Sequence, residues 1–138
     1  MLDLTSDRGR RAAERLEREL IGWLTTVTPD GRPQSSPVWF VWDGEELALR
    51  SLAATPRVRN VRANPNVSFH LDSDGLGGEI VTADGTARID EAGLGAGETA
   101  VYRAKYDPRM REYGWAWDWF DREYPVVIRV RPTRIRLG

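Results

Sequence analysis

The stretch Gln34–Asp72 reads QSSPVWFVWDGEELALRSLAATPRVRNVRANPNVSFHLD, and the fold is decided inside it. Its first nine residues, Gln34 to Trp42, have the composition of a strand. Val38, Phe40 and Trp42 alternate with Trp39 and Val41, so both faces of that strand are apolar. An antiparallel sheet normally leaves one face wet and polar. A strand with two apolar faces needs two covers. One is the interior of a barrel; the other is a second subunit, a flat ligand or the chain's own C-terminal helix. Asp43-Gly44 then forms a hairpin turn that requires positive φ, and Glu46–Ser51 returns as the next strand.

The second half of the stretch carries charge. Leu47 to Leu71 contains Arg50, Arg57, Arg59 and Arg62 and no acid, in a chain of formal net charge −1. Thr55 and Pro56 mark a helix start, Thr55 as an N-cap and Pro56 at the first helical position, where its missing N–H costs nothing. The first turn of a helix favours acids, yet this one carries Arg57 with Arg59 behind it. An arginine fork beside free backbone N–H groups suits a phosphate. Arg50 and Ser51, at the end of the preceding strand, offer a second cation and a hydroxyl to the same anion. The plainer alternative is a solvated basic helix end.

Working outward, Asp7–Leu20 reads as a surface helix with Ala12, Leu16 and Leu20 on one stripe. Ile21–Thr28 is a strand, closed by the turn Pro29-Asp30-Gly31-Arg32. Beyond the arginine segment, Asn66–Asp72 is a strand with His70 opposite its apolar set. Glu79–Asp90 reads either as a tight hairpin at Asp84-Gly85 or as one long strand with a bulge at Gly85, and the bulge is preferred because barrels need bent strands to close. Helices are expected over Glu91–Tyr106 and Pro108–Arg122, then a strand over Val126–Arg131 and a short tail at Ile135–Leu137. About six strands with small helices predict one domain over residues 1–138, a mainly β, six-stranded antiparallel split barrel.

Composition narrows the chemistry. There is no cysteine and a single histidine, which excludes thiolate chemistry and argues against a zinc site. No apolar run approaches the ~20 residues that span a bilayer, and the charged N-terminus lacks a secretory core. A cytoplasmic protein is expected. No nucleophile–base set or telling carboxylate pair is present, so no catalytic side chain is named.

The run Gly22 to Asp90 resembles the split-barrel flavin and deazaflavin oxidoreductases related to pyridoxamine 5′-phosphate oxidase. The likeness is greatest to the actinobacterial F420-dependent reductases. Three features carry it: Pro29-Asp30-Gly31-Arg32-Pro33; Arg50-Ser51 with Thr55-Pro56-Arg57 and Asn60; and Gly77-Gly78-Glu79-Ile80-Val81 leading to Asp84-Gly85-Thr86-Ala87. The resemblance implies a homodimer with the cofactor ring in a groove between subunits. It implies a cofactor phosphate at Arg50, Ser51, Thr55, Pro56, Arg57, Val58 and Asn60, with Gln34, Ser36 and Pro37 edging the ring. The cofactor that the resemblance implies is F420, or alternatively FMN, and the reaction it implies is hydride transfer to a flat, electron-poor small molecule. Trp39, Trp115 and Trp119 are candidates for the substrate wall, since aromatic faces suit flat ligands. The competing reading packs those rings onto the barrel. A non-catalytic cofactor carrier is a further alternative; nucleic acid and membrane partners are not expected.

Overall fold

The structure is a computed structural model and describes residues 3–138. In chain order it comprises α1 (Asp7–Arg18), β1 (Gly22–Val27), β2 (Pro33–Val38), β3 (Phe40–Trp42), β4 (Leu47–Ser51), α2 (Pro56–Ala63), β5 (Asn66–Leu71), β6 (Val81–Ile89), α3 (Ala96–Tyr113), α4 (Trp117–Glu123) and β7 (Val126–Leu137). The strands form one antiparallel sheet in the order β2-β1-β5-β6-β7-β4-β3.

That order explains the curl. The two edges, β2 and β3, are neighbours in the chain, separated only by Trp39. Val38 pairs with Gly22 of β1, and Phe40 pairs with Leu49 of β4. The sheet must therefore bend round until its edges meet at one residue. This corrects two expectations. Gln34–Trp42 is two strands, so the sheet has seven and not six, because the segment changes partner at Trp39. The corner is held from outside: the Phe40 N–H donates to the Tyr106 hydroxyl at 2.8 Å, and that hydroxyl reaches the Leu20 carbonyl at 2.7 Å.

The apolar faces of this strand pair go to two separate layers. Val38 and Phe40 join the barrel interior with Leu24, Leu49, Phe69, Ile128 and Val130. Val41 and Trp39 join an outer layer built by Tyr102, Tyr106, Met110 and Phe120 of α3 and α4. The second cover is thus the chain's own C-terminal helices. Apolar burial at about 25 cal/mol per Å² drives both layers.

Three further boundaries differ from the sequence reading. β7 runs unbroken through Pro132, which faces the bulge in β6 at Asp84/Gly85, so its missing N–H interrupts no regular ladder bond. A Cβ at Gly85 would fall 2.2 Å from the Arg131 carbonyl oxygen, so this bulge demands glycine. α3 continues through Pro108 to Tyr113 instead of breaking there. An interior proline costs about 3 kcal/mol; the buried row Tyr102, Tyr106 and Met110, four residues apart, anchors the helix on both sides of it. Gly114, at φ 68°, ends α3, so Trp115 lies in a connection and not on a helix.

Candidate cofactor site

The site begins where β4 hands over to α2. Ser51 is buried, and its hydroxyl donates to the Leu52 carbonyl at 2.9 Å. Thr55 occupies the N-cap position, but its side chain caps nothing: Oγ1 turns to the Leu52 carbonyl at 3.3 Å. The expected Thr55 cap bond is therefore absent. With Pro56 at the first position and no acid in the first turn, the N–H groups of Arg57 and Val58 have no side-chain acceptor.

Arg57 stands at this uncapped start. It is half-buried and has no ion-pair or hydrogen-bond partner among the described residues; burial lowers its pKa from the usual arginine value, with Tyr124 acting the other way. Arg57 also borders two cavities. One, of ≈ 460 Å³, is lined by Thr26, Gln34, Ser35, Ser36, Thr55 and Pro56. The other, of ≈ 320 Å³, is aromatic, walled by Trp39, Tyr113, Trp115, Phe120 and Tyr124 and bordered by Pro37 and Arg50. A cation thus sits between a polar chamber and an aromatic one.

The other sequence-selected residues divide into linings and supports. Gln34, Ser36, Thr55 and Pro56 face the polar chamber; Pro37, Trp39, Arg50 and Trp115 face the aromatic one. Val58 and Asn60 are buried behind them. Asn60 donates through Nδ2 to the Gln34 Oε1 at 2.9 Å and the Thr26 Oγ1 at 3.0 Å, so it orients Gln34 and Thr26. Trp119 lies outside both linings and packs on Trp115, ring centroids 5.2 Å apart.

Arg50 differs sharply from Arg57. Its side chain is 12% exposed and donates to Asp121 at 2.5 Å and to the Tyr124 carbonyl at 3.0 Å, with Phe120 beneath at 5.0 Å. Its charge is answered within the protein. Asp121 also accepts from Arg103 at 2.8 Å. Arg59 is exposed, and Arg62 faces Glu91 at 3.6 Å on the surface. His70 lies in neither lining; it stacks near Trp23, with Nδ1 3.0 Å from the Leu71 carbonyl.

Residues 10–137 match the family model described as pyridoxamine 5′-phosphate oxidase. The chain belongs to this family. Among solved structures, a putative pyridoxamine 5′-phosphate oxidase from Listeria innocua is similar at 26% identity and a TM-score of 0.68, covering 93% of this chain and 95% of that one. An F420 reductase is similar at 30% identity and a TM-score of 0.64, covering 89% and 94%. HutZ, a heme storage protein from Vibrio cholerae, shares the fold at 19% identity and a TM-score of 0.63, covering 99% and 95%.

The pyridoxamine 5′-phosphate oxidase-like barrel is a flavin-binding fold whose members include oxidoreductases. Sequence reasoning missed one part of the aromatic wall. Tyr124 lines the cavity, yet in the sequence Tyr124-Pro125 signals only a helix stop. Asp121, which holds Arg50, carried no local signal, since the pair is 71 residues apart.

Proposed function

We propose that this chain is an F420-dependent oxidoreductase. It transfers a hydride between the reduced deazaflavin and a flat, electron-poor small molecule such as an enone or quinone-like ring, and it works as a homodimer. The observation that carries the reading is Arg57: a half-buried cation with no acid partner, at a helix start with no capping side chain, between a polar and an aromatic cavity. Burying a charge without an answer is unfavourable, so an anionic ligand there relieves a standing cost.

The residues fit a phosphorylated ring compound. The Arg57 guanidinium and the N–H groups of Arg57 and Val58 bind the phosphate. Gln34, oriented by Asn60, and Ser36 edge the ring. Trp39, Tyr113 and Trp115 shield the neighbouring chamber from water and present flat faces to a flat substrate. When bound, the cofactor supplies the hydride chemistry and the protein supplies position and electrostatics. The 30% identity to an F420 reductase favours F420 over FMN, as does the exposed Arg59, a base for a longer anionic tail. Dimerisation is supported by the resemblance and by exposed apolar side chains near the aromatic cavity, Ile21, Leu52, Tyr113 (52%) and Trp115 (39%).

Titration with F420 and FMN side by side, read by fluorescence, tests the assignment. Tighter binding of F420, followed by oxidation of its reduced form with enones or quinones, is expected. Tighter FMN binding moves the protein to a flavin enzyme. Binding without turnover makes it a carrier, and binding of neither refutes the site.

A further inference from the structure

Tyr102 and Tyr106 lie one turn apart on the buried row of α3, their ring centroids 5.1 Å from each other. Their hydroxyls are answered differently. The Tyr106 hydroxyl donates to the Leu20 carbonyl at 2.7 Å, lies 3.0 Å from the Phe40 carbonyl and accepts from the Phe40 N–H at 2.8 Å. The Tyr102 hydroxyl is buried and has no hydrogen-bond partner among the described residues. Leaving a buried hydroxyl unpaired carries its desolvation cost with nothing in return, so such a group calls for a reason.

The surroundings of that hydroxyl say what is missing. Tyr102 belongs to the lining of the aromatic cavity, beside Phe120 at 6.0 Å between ring centroids. The charged residues on that lining are Arg50 and Arg57, and no carboxylate joins them. Asp121, the acid that Arg50 holds, is shared with Arg103. Burial raises the Tyr102 pKa well above its ordinary value, and Tyr106 adds to this. Arg50 pulls the other way, its main-chain N–H coming close without completing a bond. The phenol therefore keeps its proton at physiological pH. It has cations and a donor for neighbours and lacks an acceptor, and the cavity is the space from which an acceptor can come.

We propose that the Tyr102 hydroxyl selects the ligand of the aromatic cavity by donating a hydrogen bond to a carbonyl oxygen on a flat ring. The inference deepens the proposed function and rests on its substrate chamber. Aromatic walls hold any flat ring of the right size. A buried donor discriminates among such rings, because an analogue without the oxygen leaves the donor unpaired. In an enone or quinone-like ring the carbonyl oxygen is also where negative charge gathers as a hydride arrives, and a donor fixed there stabilises that charge. The hydroxyl keeps its proton and acts as a binding group.

Two small probes and two variants test this. 1-Indanone and indane share a nearly flat bicyclic skeleton and differ by a ketone in place of a methylene. Their affinities for the full chain without cofactor are read from the indole N–H resonances of Trp39 and Trp115, in the natural chain, Y102F and Y106F. The ratio of indanone to indane affinity is expected to fall about fivefold in Y102F, the scale of one neutral hydrogen bond. The urea midpoint of Y102F should hold or rise, since phenylalanine removes only an unpaired hydroxyl. Y106F should do the converse, lowering the midpoint through its lost carbonyl bonds and keeping the ratio. An unchanged ratio in Y102F overturns the proposal, for the hydroxyl then serves something other than the ligand. A lower midpoint in Y102F overturns it as well, by showing a partner inside the protein, and so does 1-indanone that shifts neither indole. No cofactor enters the measurement, so this result and the F420 titration can fail independently of each other.

Discussion

Arg129 and Arg57 are both drawn out of water, and they are answered differently. Arg129, on β7, is 8% exposed. It meets Asp90 at 2.6 Å, both oxygens of Glu98 at 2.7 Å and the Gly93 carbonyl at 3.2 Å. These bonds fasten the loop before α3, and the start of α3 itself, onto the sheet. They also raise the Arg129 pKa, with Glu98 the main cause, then Asp90, against the burial that would lower it. Arg57 has no such set, and burial alone lowers its pKa. A protein able to supply two carboxylates to one half-hidden cation has supplied none to the other. The proposed function reads that contrast as a cation kept for folding set against one kept for a ligand.

The sharpest way to break the comparison is Arg129→Met. It leaves Asp90 and Glu98 facing each other without their cation. Breaking a buried pair costs 3–5 kcal/mol. The low end, about 3 kcal/mol, is expected, because the Asp90 and Glu98 side chains keep 25% and 30% of their surface in water. Urea denaturation measures this, and cofactor affinity of the folded fraction should stay unchanged. Arg57→Ala should do the reverse. Cofactor affinity falls by about 1–3 kcal/mol, the scale of a charge-assisted hydrogen bond, and the urea midpoint hardly moves. If Arg57→Ala instead unfolds the protein, the two arginines have the same job and the contrast is empty.

Acid sharpens the comparison from the side of the carboxylates. The Arg129 hydrogen bonds hold both Asp90 and Glu98 below their ordinary values. Groups with depressed folded pKa values stabilise above the unfolded values, near 4, and lose that contribution as pH falls through the folded ones. Stability should therefore drop between about pH 5 and 2, and the drop should be shallower in Arg129→Met. Glu46, held down chiefly by Arg88, contributes to the same slope and remains in the variant. A slope identical in both proteins would show that the Arg129 cluster contributes little.

What the sequence revealed follows the range of the interactions. Short-range chemistry was legible: the Asp43-Gly44 turn, the helix start at Thr55-Pro56, the bulge at Gly85 and an arginine, Arg57, in a first turn without acids. The two-faced strand was also legible, but not its covering. Alternation says that Trp39 and Val41 are buried; it does not say that pairing switches from β1 to β4 at Trp39. Nor does it reveal that Tyr102, Tyr106 and Met110 carry a helix past Pro108, since a local rule cannot weigh tertiary packing. Arg50 reads the same as Arg57 in the sequence. Only the fold brings Asp121 to one of them. Trp115 reaches the aromatic cavity from a connection, not from the helix expected over Pro108–Arg122.

The smallest effect probes the same contrast at one atom. Thr55→Asp places an acid where α2 has no side-chain cap. An aspartate there can accept from a first-turn N–H and sits well with the helix dipole, worth about 0.5–1 kcal/mol of stability. It also hands Arg57 the carboxylate that the natural chain withholds, and it occupies the N–H groups that the proposed function gives to the phosphate. Stability should rise slightly while cofactor affinity falls by about 1 kcal/mol, roughly fivefold. Opposite signs from one substitution are hard to obtain unless the helix start is left open for an anion. If the substitution raises stability and leaves affinity unchanged, the phosphate binds elsewhere and Thr55 is simply an imperfect cap.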